Sequence, residues 1–212
     1  MNKKQHVASE VIQEISQDLV IGLGTGSTVD CLIDQLHEIE CPDYFVSSSI
    51  RTTNKLISYG YAVKSFNEVG PLDLYIDGAD QVLKTGVALK GGGGCHTIEK
   101  LLATHAKRFV GIVSDDKLVS LLSAPIAVEV LEPARSSVAR AIIGMGGNPV
   151  YREGFKTDSG HIIIDVSGLV LTDPASVEAQ LQQLVGVVEV GIFAQRRFDL
   201  IYVSNGQAIE KY

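Results

Sequence analysis

Four consecutive glycines, residues 91–94, interrupt a pattern that otherwise predicts regular secondary structure. The apolar run Gly86–Leu89 before them predicts a strand, and the periodicity of Thr97–Lys107 predicts a helix. Glycine permits positive φ and has no Cβ to keep a ligand from the backbone. A glycine loop between a strand and a helix N-terminus leaves N–H groups free to bind an anion. Because Lys90 and Glu99 flank this loop, it predicts an anion site with a cation and a carboxylate. The alternative is a flexible connection before a helix-starting carboxylate.

A second glycine-containing turn follows the predicted strand Leu19–Leu23 and precedes a helix predicted from Val29 to Ile39. Its residues are Gly24, Thr25, Gly26, Ser27 and Thr28. Their hydroxyl and backbone N–H groups suit a phosphate. Dinucleotide binding is disfavoured, because Ser27 occupies the third glycine position of G-x-G-x-x-G. The next strand also ends in serines rather than in an acid that could hold a ribose.

Two carboxylates, Asp77 and Asp80, follow the predicted strand Leu72–Ile76, and Lys117 follows the predicted strand Phe109–Val113. Ligands of open α/β sheets bind beyond the carboxyl ends of the strands. The alternatives are a turn, which Asp and Gly favour for backbone reasons, and a solvated surface lysine. Because both glycine loops and the acid pair lie at predicted strand ends, we expect one shared site.

The order of strands and helices predicts an α/β chain with two domains. Strands and helices alternate from Leu19 to Val113, which predicts a Rossmann-like, doubly wound and mostly parallel sheet. After Pro125 the order becomes β-α-β-β-α-β, that of a ferredoxin-like α+β unit. We therefore expect residues 1–125 with 195–212 to form the catalytic domain and residues 126–194 the smaller second domain. The predicted strand Leu200–Val203 returns to the first sheet.

Composition narrows the classes of partner and compartment. The net charge of −7 argues against a nucleic-acid backbone as partner but allows a small anionic ligand. No apolar run suits a signal peptide or a membrane span. The cysteines are odd in number and lack Cys-x-x-Cys spacing, and the histidines are scattered. We predict a soluble cytoplasmic protein without a disulfide framework or a metal site.

These motifs, in this order, resemble those of ribose-5-phosphate isomerase of the A type. The resemblance runs from residues 22–28 through Ser47–Ser49, Asp77–Asp80 and Lys90–Lys100 to residues 186–194. It implies an aldose–ketose isomerase that interconverts ribose 5-phosphate and ribulose 5-phosphate through an enediolate. It also implies that no metal or other cofactor is used and that the chain forms a homodimer or homotetramer.

The resemblance also assigns residues to roles. Glu99 would be the catalytic base, and Asp77, Asp80 and Lys90 would complete the catalytic set. The implied substrate-binding residues are Gly24, Thr25, Gly26, Ser27, Thr28, Ser48, Asp77, Gly78, Ala79, Asp80, Lys90, Gly91, Gly92, Gly93 and Lys117.

The chain departs from the family's usual pattern at three places. Gln81 replaces a usual Glu, residues 94–96 read Gly-Cys-His in place of Ala-Ala-Leu, and Ile50-Arg51 follows the serines. We expect His96 to be a partly solvated helix-start residue, with an extra acid or a ligand contact as the alternative. We expect Cys95 to be a loop filler, with a reactive thiol as the alternative. Two other functions stay open, a sugar-phosphate sensor without turnover and a related enzyme such as an amino-sugar-phosphate isomerase-deaminase.

Overall fold

The computed structural model describes residues 2–212, which form three β-sheets and their covering helices. Residue 1, the first of the predicted catalytic domain, lies outside the described residues. The helices are α1 (Lys3–Val11), α2 (Ser27–Ile33), α3 (Ile50–Ser58), α4 (His96–Thr104), α5 (Arg135–Gly144) and α6 (Pro174–Gln182). The strands are β1 (Ile21–Leu23), β2 (Phe45–Ser47), β3 (Val63–Lys64), β4 (Leu72–Asp77), β5 (Gln81–Val82), β6 (Ala88–Leu89), β7 (Ala106–Ser114), β8 (Ile126–Val130), β9 (Asn148–Tyr151), β10 (Ile162–Ser167), β11 (Val187–Val190), β12 (Ile192–Phe193), β13 (Leu200–Ser204) and β14 (Ile209–Lys211).

The main sheet has the strand order β14-β13-β7-β4-β1-β2-β3. All of its neighbouring strands are parallel except β13 and β14. Helices α1 and α2 pack on one face, where Leu74 and Ile76 point, and α4 packs on the opposite face with Tyr75. Strands covered on both faces read as continuous apolar runs, which is why β1 and β4 were predictable. The Rossmann-like, doubly wound sheet and the return of β13 to it are confirmed.

The second sheet is antiparallel and has the order β11-β8-β10-β9. With α5 and α6 it gives the β-α-β-β-α-β arrangement, so the ferredoxin-like α+β unit is confirmed. Its helix α6 begins as the sequence indicates, because the Asp173 side chain accepts a hydrogen bond from Ser176 N and Pro174 takes the first position. The division at residues 126 and 194 stays a prediction.

Two predicted elements differ from the structure around the glycine loop. The helix predicted to Lys107 ends at Thr104, because residues 106–108 pair with β4 and extend β7. The strand predicted at Gly86–Leu89 shortens to β6, which lies outside the main sheet and pairs antiparallel with β5 and β12. Strands β5, β12 and β14 were not predicted, because two- and three-residue strands depend on their partners rather than on a local pattern.

A buried lysine ties α4 to the antiparallel domain. Lys100 Nζ lies 2.8 Å from carboxylate oxygens of both Glu178 and Glu189. It also donates to the carbonyl oxygens of Val190, at 2.6 Å, and Ile192, at 2.8 Å. Because Glu99 precedes Lys100 in the chain, this network holds the helix turn that carries Glu99.

We predict that Lys100→Met destabilises the fold strongly. Removing one partner of a buried ion pair leaves uncompensated charge and costs about 3–5 kcal/mol. The free energy of unfolding, measured by urea denaturation, is expected to fall by that amount. The matched control is Lys107→Met, whose ion pair with Asp73 is exposed on the lysine side and should cost about 0–1 kcal/mol. Equal losses in the two variants would contradict the network's role.

Candidate active site

A cavity of about 430 Å3 lies beyond the carboxyl ends of the parallel strands. Residues 25–28 reach it from the end of β1, Gly78–Asp80 from the end of β4, and Ser114 and Lys117 from the end of β7. The glycine loop, residues 91–93, reaches it from β6. Motifs far apart in the chain meet here, because parallel strands bring their carboxyl ends to one edge of the sheet.

Most of the predicted site residues line this cavity. Those that do are Thr25, Gly26, Ser27, Thr28, Gly78, Ala79, Asp80, Lys90, Gly91, Gly92, Gly93, Glu99 and Lys117. Three predicted residues, Gly24, Ser48 and Asp77, are buried behind the lining instead. Ser49 lines the cavity in place of Ser48 and also caps α3 through Thr52 N.

Lys90 is buried between two carboxylates at the base of the cavity. Its Nζ lies 2.9 Å from Asp77 Oδ2 and 3.2 Å from Glu99 Oε2, and it donates to the Gly78 carbonyl oxygen at 2.5 Å. All three charged side chains are buried, Asp77 completely. Such a cluster is stable only when hydrogen bonds compensate the charges that burial leaves uncovered.

Asp77 receives that compensation from its own strand and from the neighbouring loop. Tyr75 Oη donates to Oδ2 at 2.6 Å, and the backbone N–H groups of Gly78 and Thr25 donate to Oδ1. Gly24 has to lack a side chain, since a Cβ there would lie 2.0 Å from Asp77 Cγ. Asp77 therefore joins the first glycine turn to Lys90 without reaching the cavity.

Burial sets the protonation of the catalytic candidates. Desolvation, together with the nearby charge of Asp77, raises the pKa of Glu99 to about 8, and Lys90 opposes this shift only in part. Burial would lower the pKa of Lys90, but the charges of Asp77 and Glu99 outweigh it and raise that pKa above its usual value. Glu99 can therefore exchange a proton near neutral pH while Lys90 stays charged.

The lining of the cavity is also rich in hydroxyl groups and cations. Gly26 has φ +116°, and α2 begins at Ser27, so the turn presents its N–H groups and hydroxyls to the cavity. Lys4 Nζ donates to Ser27 Oγ at 2.7 Å. The cationic side chains lining the cavity are Lys4, Arg51, Lys90, Lys117 and Lys156. An acidic chain thus carries a local cluster of cationic side chains at this cavity.

Asp80 and Arg152 hold the glycine loop from two sides. Asp80 Oδ2 accepts from Gly92 N at 2.8 Å. Arg152 Nη1 donates to the carbonyl oxygens of Gly91 and Gly92, at 3.1 and 3.2 Å. Gly91, with φ +106°, also accepts from Gly94 N, which closes the turn. The loop is a defined turn and not a flexible connection.

His96 begins α4 as predicted, but the prediction that it is partly solvated was wrong, since its side chain is fully buried. Its Nε2 lies 3.3 Å from the carbonyl oxygen of Glu189, and burial lowers its pKa to about 3. A neutral, buried imidazole does not titrate near neutral pH. Burial, and then the charge of Glu99, raise the pKa of the Cys95 thiol to about 12. A thiol with this pKa is disfavoured as a reactive thiolate, which favours the loop-filler expectation over the alternative.

Two further departures from the family pattern, Gly94 and Gln81, have local structural reasons. Gly94 has φ +72°, and a Cβ there would lie 2.4 Å from the ring of Phe155. Gln81 accepts hydrogen bonds from the N–H groups of Ser123 and Ala124 and donates to Ser123 Oγ. A carboxylate could accept but could not make that donation, so Gln81 serves the loop at residues 123–124.

Several lining residues were missed because they come from outside the predicted motifs. Lys4 belongs to α1, and Phe155, Lys156 and Asp158 belong to the loop between β9 and β10 of the antiparallel domain. Asp158 Oδ2 accepts from Ile50 N, which ties this loop to the first residue of α3. The sequence does contain a signal that Lys4 lies in the first turn of a helix, because Asn2 and Gln5 have the spacing of a capping box and form one in the structure. Nothing local connects residues 155–158 with this site.

Residues 2–212 hold neither a metal-ligating cluster nor a membrane-spanning helix. No group of three or more His, Cys, Asp and Glu side chains among them is arranged to hold a metal ion. No helix in this part of the chain combines the length and apolar character needed to cross a membrane. The predicted independence of metals stays a prediction.

Comparisons with known proteins agree with this geometry. The family model described as ribose 5-phosphate isomerase A (phosphoriboisomerase A) matches residues 44–208. The ribose-5-phosphate isomerase A of Legionella pneumophila is 44% identical over 97% of this chain and 96% of that protein.

Solved structures extend the match to the fold. The ribose 5-phosphate isomerase A of Neisseria gonorrhoeae superposes with a TM-score of 0.96 at 37% identity, covering 98% of this chain and 94% of that one. A D-ribose-5-phosphate isomerase in complex with phospho-erythronic acid superposes with a TM-score of 0.95 at 30% identity, covering 100% and 99%. The chain therefore belongs to the ribose 5-phosphate isomerase A family.

Proposed function

We propose that this chain interconverts D-ribose 5-phosphate and D-ribulose 5-phosphate through an enediolate. The observation that carries the proposal is the placement of Glu99, with its raised pKa, beside Lys90 in a cavity whose lining also has the hydroxyls and cations of a phosphate site. A base, an oxyanion partner and a phosphate handle are the groups that this isomerisation needs. The relative solved with phospho-erythronic acid supports the substrate class, since that acid carries a phosphate and a carboxylate that is planar and anionic like an enediolate.

Glu99 is proposed to move the carbon-bound proton. It takes the proton from C2 of the open-chain aldose and returns it to C1, while the hydroxyl proton passes from O2 to O1. The atoms balance without an added reagent. A base works best when its pKa lies near the operating pH, so burial makes Glu99 a stronger base than an exposed glutamate.

Lys90 is proposed to stabilise the negative charge that develops on the carbonyl oxygen, as is general for buried donors aimed at an oxyanion. Asp77 holds Lys90 in place from behind and does not reach the cavity. Asp80 lines the cavity and holds Gly92, so it is the better placed carboxylate for moving hydroxyl protons and opening the sugar ring.

The phosphate is proposed to bind at residues 25–28, with Lys4 and Lys117 as cationic partners. Gly24 supports this turn from behind and Ser48 supports the neighbouring strand end, both as buried residues. Binding energy from the phosphate holds the reacting carbons near Glu99, and such remote binding energy supports the chemical step. On the family resemblance, we further propose that the chain is cytoplasmic and forms a homodimer or homotetramer. The mass measured by light scattering tests the oligomeric state.

Formation of ribulose 5-phosphate from ribose 5-phosphate, after exhaustive chelation, tests the proposed function. We expect turnover to survive chelation, because Lys90 supplies the charge that a metal would otherwise supply. Binding of ribose 5-phosphate without turnover would instead indicate a sensor, and ammonia release from amino-sugar phosphates would indicate the related deaminase.

Glu99→Gln is expected to lower kcat by about 10²–10⁴-fold, the usual contribution of general base catalysis. Affinity for inorganic phosphate should not change, since the phosphate is proposed to bind at residues 25–28 and not at Glu99. The control is Glu153→Gln, an exposed residue that does not line the cavity. A Glu99→Gln variant that keeps kcat near the wild-type value would remove Glu99 from the role of base.

The pH dependence of kcat/KM should follow the ionisation of Glu99. Only the carboxylate can accept a proton, so kcat/KM is expected to rise with pH to a plateau above an apparent pKa of about 8. A rise centred near pH 4, where glutamate ordinarily titrates at about 4.3, would contradict the shifted base. A rise near pH 6 would report the substrate phosphate, whose second pKa is about 6.

A further inference from the structure

Arg152 joins the antiparallel domain to the glycine loop of the active site. Its Nη1 donates to the carbonyl oxygens of both Gly91 and Gly92, at 3.1 and 3.2 Å. Arg152 itself does not line the substrate cavity. It lines a second cavity, of about 460 Å3, which shares Asp80 and Gly92 with the substrate cavity. Arg152 therefore binds the loop without lining the cavity where substrate is proposed to bind.

The guanidinium is held in a fixed orientation. Asp165 binds it with both carboxylate oxygens, Oδ2 at 2.9 Å from Nε and Oδ1 at 2.5 Å from Nη2. The ring of Phe155 lies 5.3 Å from Arg152 Cζ, and Phe155 packs in turn against Gly94. A planar guanidinium gripped along one edge presents its remaining N–H groups in one direction, which a lysine ammonium does not do.

Peptide geometry transmits this grip to the other face of the loop. In a trans peptide the C=O and the following N–H point in opposite directions. The carbonyl of Gly91 faces Arg152, and the N–H of Gly92 accordingly faces the opposite side, where Asp80 accepts it at 2.8 Å. By the same geometry, the N–H of Gly93 points away from Arg152, and Gly93 lines the substrate cavity.

The N–H of Gly93 is available to a ligand. It has no acceptor among residues 2–212, and a Cβ built on Gly93 would meet nothing within 4 Å. Gly93 is exposed and lines the same cavity as Lys90 and Glu99. A cationic hydrogen bond on the carbonyl of a peptide also polarises that peptide and strengthens its N–H as a donor.

We propose that Arg152 is a positioning residue for the isomerisation, which aims and polarises the Gly93 N–H so that it binds the oxyanion developing during enolisation. The inference rests on the proposed function, because it assigns an oxyanion donor to that reaction. It also gives the antiparallel domain a part in the chemistry. The donor acts on the transition state more than on the bound sugar phosphate, so its loss should appear in kcat rather than in KM.

The test is Arg152→Ala in the full chain, assayed with ribose 5-phosphate. We expect kcat to fall about 10–100-fold with KM little changed, below the roughly 10²–10³-fold loss seen when an oxyanion donor is deleted outright. The affinity for phospho-erythronic acid, whose carboxylate is planar and anionic like the enediolate, should fall alongside kcat. The affinity for inorganic phosphate should stay at the wild-type value, which a general loss of structure would not allow.

Chemical rescue makes the test specific to the missing group. The second cavity opens onto Arg152, so guanidinium chloride, well below denaturing concentrations, should restore part of kcat in Arg152→Ala, whereas ammonium chloride should not. Arg152→Lys is the second variant, should Arg152→Ala fail to fold, and is expected to have reduced kcat without guanidinium rescue. The control is Arg140→Ala, an exposed arginine of α5, which should keep wild-type kcat and show no rescue.

The outcomes separate the two levels of proposal. A wild-type chain that does not isomerise ribose 5-phosphate would overturn the proposed function. If the wild type is active and Arg152→Ala keeps the wild-type kcat, only the role of Arg152 is overturned. If Arg152→Ala does not fold, the same conclusion follows from an unchanged kcat in Arg152→Lys. A rise in KM with unchanged kcat would also overturn it, because Arg152 would then act on ground-state binding.

Discussion

The placement of one buried cation between two carboxylates is the constraint on which the active site depends. Lys90 lies between Asp77 and Glu99, and none of the three charges is solvated well enough to stand alone. Asp77 is stabilised by Tyr75 and by backbone N–H groups, so it remains the partner that keeps Lys90 charged. Glu99 lacks comparable compensation, and its pKa rises accordingly. The two carboxylates on one lysine are thus unequally compensated, which supports the proposal of Glu99 as the base.

The active site also depends on residues from both the main-sheet domain and the antiparallel domain, which line the same cavity. The Rossmann-like sheet supplies the strand ends, while the β9–β10 loop supplies Phe155, Lys156 and Asp158. Lys100 connects α4 to the antiparallel domain, and Arg152 connects that domain to the glycine loop. In the chain, the glycine loop precedes Glu99 and Lys100 follows it. Because these contacts are buried or bidentate, they fix geometry as well as adding stability. The small domain thus belongs to the site rather than serving only as a cover for the sheet.

The local motifs were predictable because each has its own physical reason. A turn of glycines and hydroxyl residues at a strand end binds anions wherever it occurs, and Glu99 and Lys90 flank the one glycine loop that follows the acid pair. The predictions that were wrong concern residues whose secondary structure or burial depends on contacts with segments far along the chain. Lys107 joins a strand because residues 106–108 pair with β4, and His96 is buried because β11 covers it. Ser49, which caps the start of α3, lines the cavity, whereas the predicted Ser48 does not.

By itself, the sequence determined the order of strands and helices, the two glycine loops and the residue types that meet at the strand ends. Hydrophobic periodicity and glycine's backbone freedom are local properties, so they can be read without coordinates. Only the tertiary structure decided that Asp77 stands behind Lys90, that Glu99 is buried enough to have a raised pKa, and that Arg152 grips the glycine loop. Burial, charge proximity and contacts between domains arise from how distant segments pack, and no local pattern in the chain encodes them.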